Sequence, residues 1–219
     1  MEIIRYVLAA LCAYMLGSMS VSIFISKSFL KNDVRGLGSG NAGATNMARV
    51  FGLRMGVVTL LADMLKAALA TLIGWLLAGE WGLCVAGVAC ILGHCFPVLH
   101  EFRGGKGVSV GAALLLIADW RVILVAAAFF ALAAVLSKKV SLGSLAAAVT
   151  AFASAAFFGI GAPRLIMVSF AALMVVLRHR ENIIRLIKGT EPDFKPGGTA
   201  KADKAKGAKL KSTKLKKEA

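Results

Sequence analysis

Long apolar stretches alternate with short polar ones along the chain. The apolar runs extend over Ile3 to Ile25, Met55 to Ala78, Trp81 to Leu99, Val108 to Ala118, Val122 to Leu136, Val140 to Phe158 and Leu165 to Leu177. A helix needs about 20 apolar residues to cross a hydrocarbon core of about 30 Å, so three or four of these runs are long enough and Val108 to Ala118 is short. The pattern predicts an all-α integral membrane protein, a bundle of about seven transmembrane helices. A re-entrant hairpin over Val108 to Leu136 would lower the count to five. The first run sits where a signal peptide would, but Glu2 lies in its n-region and no small-x-small site closes it, so it reads as a retained first span.

Composition agrees, with 58% of residues hydrophobic and a mean hydropathy of +0.79. Charge adds an orientation. Lys27, Lys31, Arg35, Arg49 and Arg54, then Arg103 and Lys106, then Lys138 and Lys139, then the C-terminal tail fall at alternate connections, which places them on the cytoplasmic side. The connections near Glu80, Asp119 to Arg121 and Gly159 to Arg164 carry little positive charge and fit the outside. Seven crossings then leave the N-terminus outside and the C-terminus cytoplasmic.

The chain divides into a transmembrane unit, 1–194, and a basic tail, 195–219, which alone holds nine lysines against two acidic residues of a net charge of +15. Lys201 to Lys217 has almost nothing apolar to bury, so it reads as disordered and attracted to anionic headgroups. No aromatic platform accompanies the lysines, which argues against nucleic acid. Cys12, Cys84, Cys90 and Cys95 lie in apolar runs without a C-x-x-C pair and read as small buried apolar residues rather than a disulfide or metal site.

Three polar islands fall on the predicted cytoplasmic face. The first is GSGNAGATNMAR, Gly38 to Arg49. Its Gly38, Gly40 and Gly43 match G-x-G-x-x-G, yet no strand or βαβ unit precedes them, so a dinucleotide site is rejected. A loop suited to phosphate remains, with Ala44 to Arg49 starting a short helix; the alternative is a glycine-rich turn with Arg49 snorkelling to headgroups. The second is FRGGKG, Phe102 to Gly107. It is no Walker A loop, because His100 and Gly107 stand where that motif needs Gly and Ser or Thr. Lys106 among Gly104, Gly105 and Gly107 still forms a phosphate clamp, against the reading of a plain basic turn. The third is Arg178 to Arg185. On a continuous helix His179 and Asn182 share a face, and Glu181 and Arg185 pair at i, i+4. Inside the second span, Asp63 and Lys66 lie three apart, where charges are costly unless paired or functional. They read as support for the site, with Lys66 a further candidate for the anion.

In that order, GSGNAGATNMAR, GHCFPVLHEFRGGKGV and HRENIIRLIKGTE closely resemble the three motifs of the bacterial acyl-phosphate:glycerol-3-phosphate acyltransferases, the PlsY family, over about Tyr14 to Glu191. The lysine-rich tail falls outside the resemblance. What it implies is transfer of a fatty acyl group from acyl phosphate to the 1-hydroxyl of glycerol 3-phosphate, giving lysophosphatidic acid and inorganic phosphate at the inner membrane of a bacterium, with no cofactor or metal. The resemblance implies roles for Ser39, Thr45, Asn46 and Arg49 in the first loop, Gly104 to Gly107 with Lys106 in the second, and His179 with Asn182 in the third. The remaining loop residues Gly38, Gly40 and Asn41 join the phosphate-binding set, and Glu191 is chiefly structural. The lability of the donor would favour delivery by a soluble acyl-phosphate-producing enzyme on the cytoplasmic face.

The residues are consistent with that chemistry. Two cationic glycine-rich loops suit two phosphorylated substrates, and none of the three histidines has the aspartate five residues on that other acyltransferases use. Lys106 and Arg49 would stabilise the departing phosphate. His179 is one candidate for the base. A substrate phosphate is the other, favoured slightly because the sequence offers His179 no carboxylate to fix its tautomer. Ser39 as an acyl-accepting nucleophile lacks an adjacent base. Rival readings are an organic-phosphate transporter, which would want a matching polar set on the outer side, and a membrane anchor acting through the tail, which deletion of Lys201 to Ala219 would abolish.

Overall fold

The computed structural model of the chain describes residues 2–197; the tail beyond, and with it the reading of Lys201 to Lys217, lies outside the described residues. The fold among these is helical throughout, without strands: α1 (Glu2–Ser18), α2 (Val21–Ser28), α3 (Ala44–Phe51), α4 (Leu53–Cys95), α5 (Val108–Ala118), α6 (Trp120–Ser137), α7 (Val140–Phe158), α8 (Ala162–Arg178) and α9 (Arg180–Ile187). Four described stretches are long and apolar enough to cross a membrane, or five with the bent α8–α9 pair taken as one.

The second and third apolar runs are two legs of α4, which reverses at Ala78 and Gly79; Gly79 takes φ 61°. A Cβ added at Gly74 would lie 2.5 Å from that of Ala86, whereas a straight helix would hold those residues about 18 Å apart. The two glycines at the crossing, Gly74 and Gly82, let the legs touch backbone to backbone. The first leg runs to one end of the bundle and the second returns with α1 packed along it, Gly17 of α1 against Cys90, and Tyr14 and Ser18 against Gly93. Small residues at such contacts gain dispersion energy by close approach, since lipid supplies no hydrophobic drive between helices. The large apolar side chains point outwards instead, as with Leu136 at 76% and Phe157 at 84% exposure.

The first run is broken rather than continuous, because the chain leaves helical geometry at Ser20 between α1 and α2. The carbonyls freed there are met from within the bundle: Lys66 Nζ donates to the carbonyls of Gly17 (3.1 Å) and Met19 (3.0 Å). A cation at the C-terminal end of α1 also complements the helix dipole. The shortness of α5 has a similar cause. Residues 104, 105 and 107 are buried and the Gly105 N–H donates to the His94 carbonyl at 3.0 Å, so a loop runs inside the bundle before α5 begins. At its other end the Ala118 carbonyl accepts from Arg164 Nη1 at 3.1 Å, beside the Glu80–Arg164 ion pair. Cys84, Cys90 and Cys95 are buried as read, but Cys12 is exposed on α1, where nothing packs over it.

Candidate functional site

The loops at the end away from Glu80 surround a cavity of about 1000 Å³. It is lined by Gly38, Ser39, Asn41, Thr45, Asn46 and Arg49 from the first island, Lys106 from the second, and His179, Asn182, Arg185 and Glu191 from the third, with an apolar flank that includes Leu53, Val57, Leu60 and Phe130.

The first loop is built around Asn46, which is fully buried. Its Nδ2 donates to the carbonyls of Val34 (3.1 Å) and Leu37 (2.9 Å), and its Oδ1 accepts the N–H of Ser39 at 2.9 Å. All its strong bonds therefore go to the loop backbone, so Asn46 shapes the site rather than presenting an amide to it. Gly38 has φ 59° and a Cβ there would meet the Asn46 side chain, which excludes other residues twice over. Ser39 itself is exposed to the cavity, and Arg49 enters it half-buried from α3.

Lys106 donates to Asn182 Oδ1. Asn182 Nδ2 donates to Glu191 Oε1 at 2.6 Å, the Ser141 hydroxyl donates to the same oxygen at 2.6 Å, and Arg185 Nε donates to Oε2 at 2.7 Å. A lysine only donates and a carboxylate only accepts, so the amide orientation is fixed by its neighbours. Burial drives the Lys106 ammonium down to about 8, reinforced by Arg185 and opposed by Glu191. Burial raises the Glu191 carboxyl, but the hydrogen bonds from Ser141, Arg185 and Asn182 outweigh it and hold Glu191 below its ordinary value.

The helix expected to continue through the third island does not. It bends by 56° between α8 and α9, at His179. His179 is buried, lines the cavity, and its Nδ1 lies 2.7 Å from the Val175 carbonyl, which can only accept. Nδ1 therefore carries the proton and Nε2 the lone pair. The expected Glu181–Arg185 pair is the weaker one, at 4.0 Å against 2.7 Å for Arg185–Glu191, because the chain after α9 folds back and brings Glu191 in; Glu181 stays exposed outside the cavity. That returning segment, Thr190 to Lys195, lines the cavity too. Its Phe194 N–H donates to the Lys138 carbonyl (2.9 Å) and the Gly197 N–H to that of Ala48 (3.0 Å), so the boundary drawn after 194 falls inside a packed segment.

Several candidates take other places. Gly40, Gly104, Gly105 and Gly107 do not line the cavity. Gly104 and Gly105 are needed for close approach to residues 94–97: a Cβ at Gly104 would run into the His94 carbonyl oxygen and Pro97 Cδ, and one at Gly105 into His94 Nε2 and Cε1. Lys66 is no anion ligand. It pairs with Asp63 at 2.8 Å and bonds the α1 carbonyls, and both residues are buried behind the cavity. Sequence reasoning passed over His94 and gave Arg178 and Arg185 no role in the site. Arg178 Nε donates to the Gly105 carbonyl at 3.2 Å and steadies the second loop. The signal for His94 was a histidine at the end of an apolar run in a chain that already buries Asp63 and Lys66. Among the described residues no three His, Cys, Asp or Glu side chains converge to hold a metal ion.

A family model described as glycerol-3-phosphate acyltransferase matches residues 7–189. The glycerol-3-phosphate acyltransferase of Jannaschia sp. is 41% identical, over 84% of this chain and 91% of its own length. That of Finegoldia magna is 35% identical, over 87% and 97%. A crystal structure of PlsY (YgiH), an integral membrane glycerol 3-phosphate acyltransferase, in its glycerol 3-phosphate form superposes with a TM-score of 0.81 at 35% identity, covering 87% of this chain and 96% of the other. The lysophosphatidic acid form of the same enzyme gives 0.79 at 34%.

Proposed function

The chain belongs to the glycerol-3-phosphate acyltransferase family of integral membrane enzymes, and from that premise we propose that its acyl donor is acyl phosphate and its product lysophosphatidic acid. The observation that carries this reading is a single cavity with two chemistries: cationic Lys106, Arg49 and Arg185 for phosphate, and an apolar flank of Leu53, Val57, Leu60 and Phe130 for an acyl chain. The solved relative in its glycerol 3-phosphate and lysophosphatidic acid forms supports the acceptor and the product.

Lys106 and Arg49 hold the phosphate of the donor, and Ser39 and Thr45 hydrogen-bond to the bound substrates. The 1-hydroxyl of glycerol 3-phosphate attacks the acyl carbonyl carbon, the ester C–O bond forms and the acyl–phosphate C–O bond breaks. His179 Nε2 takes the hydroxyl proton and passes it to the departing phosphate, which leaves as hydrogen phosphate. A carboxylate is not needed to fix the tautomer, since the Val175 carbonyl supplies the acceptor for Nδ1–H; the sequence-based preference for a substrate phosphate as base rested on the lack of such a partner. Asn182, oriented by Glu191, holds Lys106 in place. An acyl phosphate is already an activated anhydride, so positioning and charge stabilisation suffice. The cavity end is the cytoplasmic one on this reading, with the C-terminus on the same side. A phosphate transporter would need a matching polar set at the other end, where a smaller pocket is lined by Glu2, Arg5 and Tyr6.

The test is single-turnover acyl transfer by the purified protein in a lipidic phase, with acyl-CoA as control donor. Product is expected from acyl phosphate alone, and His179→Ala should lower kcat by about 10²- to 10⁴-fold. No product from either donor, with the protein folded, overturns the reading.

A further inference from the structure

His94 sits at the end of α4 with 5% of its surface exposed, on the wall of the cavity, and its Nε2 edge abuts Gly105, the residue before Lys106. Its Nδ1 lies 3.2 Å from Lys66 Nζ. A lysine ammonium has three N–H groups and no lone pair, and here it faces four acceptors, Asp63, the Gly17 and Met19 carbonyls and Nδ1, so Nδ1 takes at most a shared N–H; the cation beside it still favours a lone pair at Nδ1 and the proton of the neutral ring on Nε2. The opposite tautomer would point an N–H at the ammonium, and Asp63 Oδ1, at 3.7 Å from Nδ1, is too far to accept it. Lys66 is itself fixed by Asp63 at 2.8 Å and by the Gly17 and Met19 carbonyls, so the tautomer is set by a buried framework.

Nε2–H has no hydrogen-bond partner among the described residues, and it is not among the fully enclosed orphan atoms. A buried donor on a cavity wall with no protein acceptor calls for a ligand oxygen. The two cavity histidines are thus opposite in character: His179 presents a lone pair at Nε2 and His94 an N–H. We propose that His94 is a further catalytic residue, whose Nε2–H donates to an oxygen of the acyl phosphate bound against Lys106. The oxygen is either on its phosphate or on the acyl carbonyl as negative charge develops there. This rests on the acyl-phosphate reading above.

The experiment compares two amide variants of the full-length protein with wild type. In His94→Asn the side-chain oxygen can still accept from Lys66 while the donor at the Nε2 position is gone; in His94→Gln the amide N–H reaches that position. His94→Asn should lose about 10²-fold in kcat/KM for acyl phosphate, with its melting temperature and the KM for glycerol 3-phosphate unchanged, and His94→Gln should recover to within a few-fold. A loss mainly in KM assigns the phosphate oxygen, one mainly in kcat the carbonyl oxygen. Nitrogen-15 spectra should show the His94 proton on Nε2 and a shift of that signal on adding acyl phosphate. The proposal is overturned if His94→Asn stays within twofold of wild type, if both variants are equally impaired, or if the proton lies on Nδ1. An inactive wild type would instead remove the acyl-phosphate reading, and the spectrum would then be read with inorganic phosphate as the probe, an unmoved signal overturning the proposal.

Discussion

The two ends of the bundle are both laced by charged residues, in different ways. At the end with the smaller pocket, Arg164 bridges Glu80 at 2.9 Å with both side chains open to the surroundings, and Arg121, itself open, bridges the less exposed Asp119 at 2.7 Å. Arg121 also lies over the Phe158 ring at 4.6 Å. At the cavity end the charges are linked in series, half-buried Lys106 to buried Asn182 and Glu191 to half-buried Arg185, with buried Asp63, Lys66 and His94 behind them. The same residue types therefore do different work. Exposed pairs trade one hydration shell for one partner and gain little, whereas buried ones must be fully partnered and so fix geometry, tautomer and charge.

The comparison breaks most visibly at Asp63. Removing one partner of a buried pair leaves the other charge uncompensated, so Asp63→Ala should cost about 3–5 kcal/mol. A thermal melt in detergent checks this, and Lys66→Met added to the same chain should restore part of the loss. No change in melting would mean that the Lys66 bonds to the α1 carbonyls alone satisfy it.

An intermediate effect is expected from Lys106. Its ammonium is pushed down to about 8, so the cationic form, which on the proposed reading binds phosphate, is present below that pH and is lost above it. kcat/KM for acyl phosphate should therefore fall about tenfold per unit above pH 8. Lys106→Arg, which stays charged, should flatten that limb even if its maximum is lower. A wild-type limb that stays flat to pH 10 would show that the charge there does not limit the reaction.

The smallest effect belongs to the opposite end. Glu80→Ala breaks an exposed pair and should change stability by less than about 1 kcal/mol, with turnover unaltered. A large fall in either would mean that the Glu80–Arg164–Ala118 contact organises the helices reaching the site.

Much of this contrast was legible in the chain. The hydrophobic runs gave the helices, and the three polar islands contain the residues that line the cavity, Ser39, Arg49, Lys106, His179 and Asn182 among them. What could not be read was the role of individual polar groups. Asn46 looked like a ligand and turns out to bind its own loop; Gly104 and Gly105 looked like a phosphate cradle and are thin because His94 and Pro97 press against them. Arg185 looked like a partner of Glu181 and prefers Glu191, six residues on, because the backbone turns back after α9.

The sequence by itself determined that the chain is helical, that it is a membrane protein, and which three polar segments line its cavity. Those follow from apolar content and residue type over short windows, which act locally. Only the tertiary structure decided which polar groups meet: Lys66 with His94, 28 residues apart, Ser141 with Glu191, 50 apart, and Lys106 with Asn182, 76 apart. The first of those contacts sets the tautomer of His94, whereas that of His179 follows locally from the Val175 carbonyl four residues back, because a proton's position on a ring is chosen by the acceptor or donor beside it.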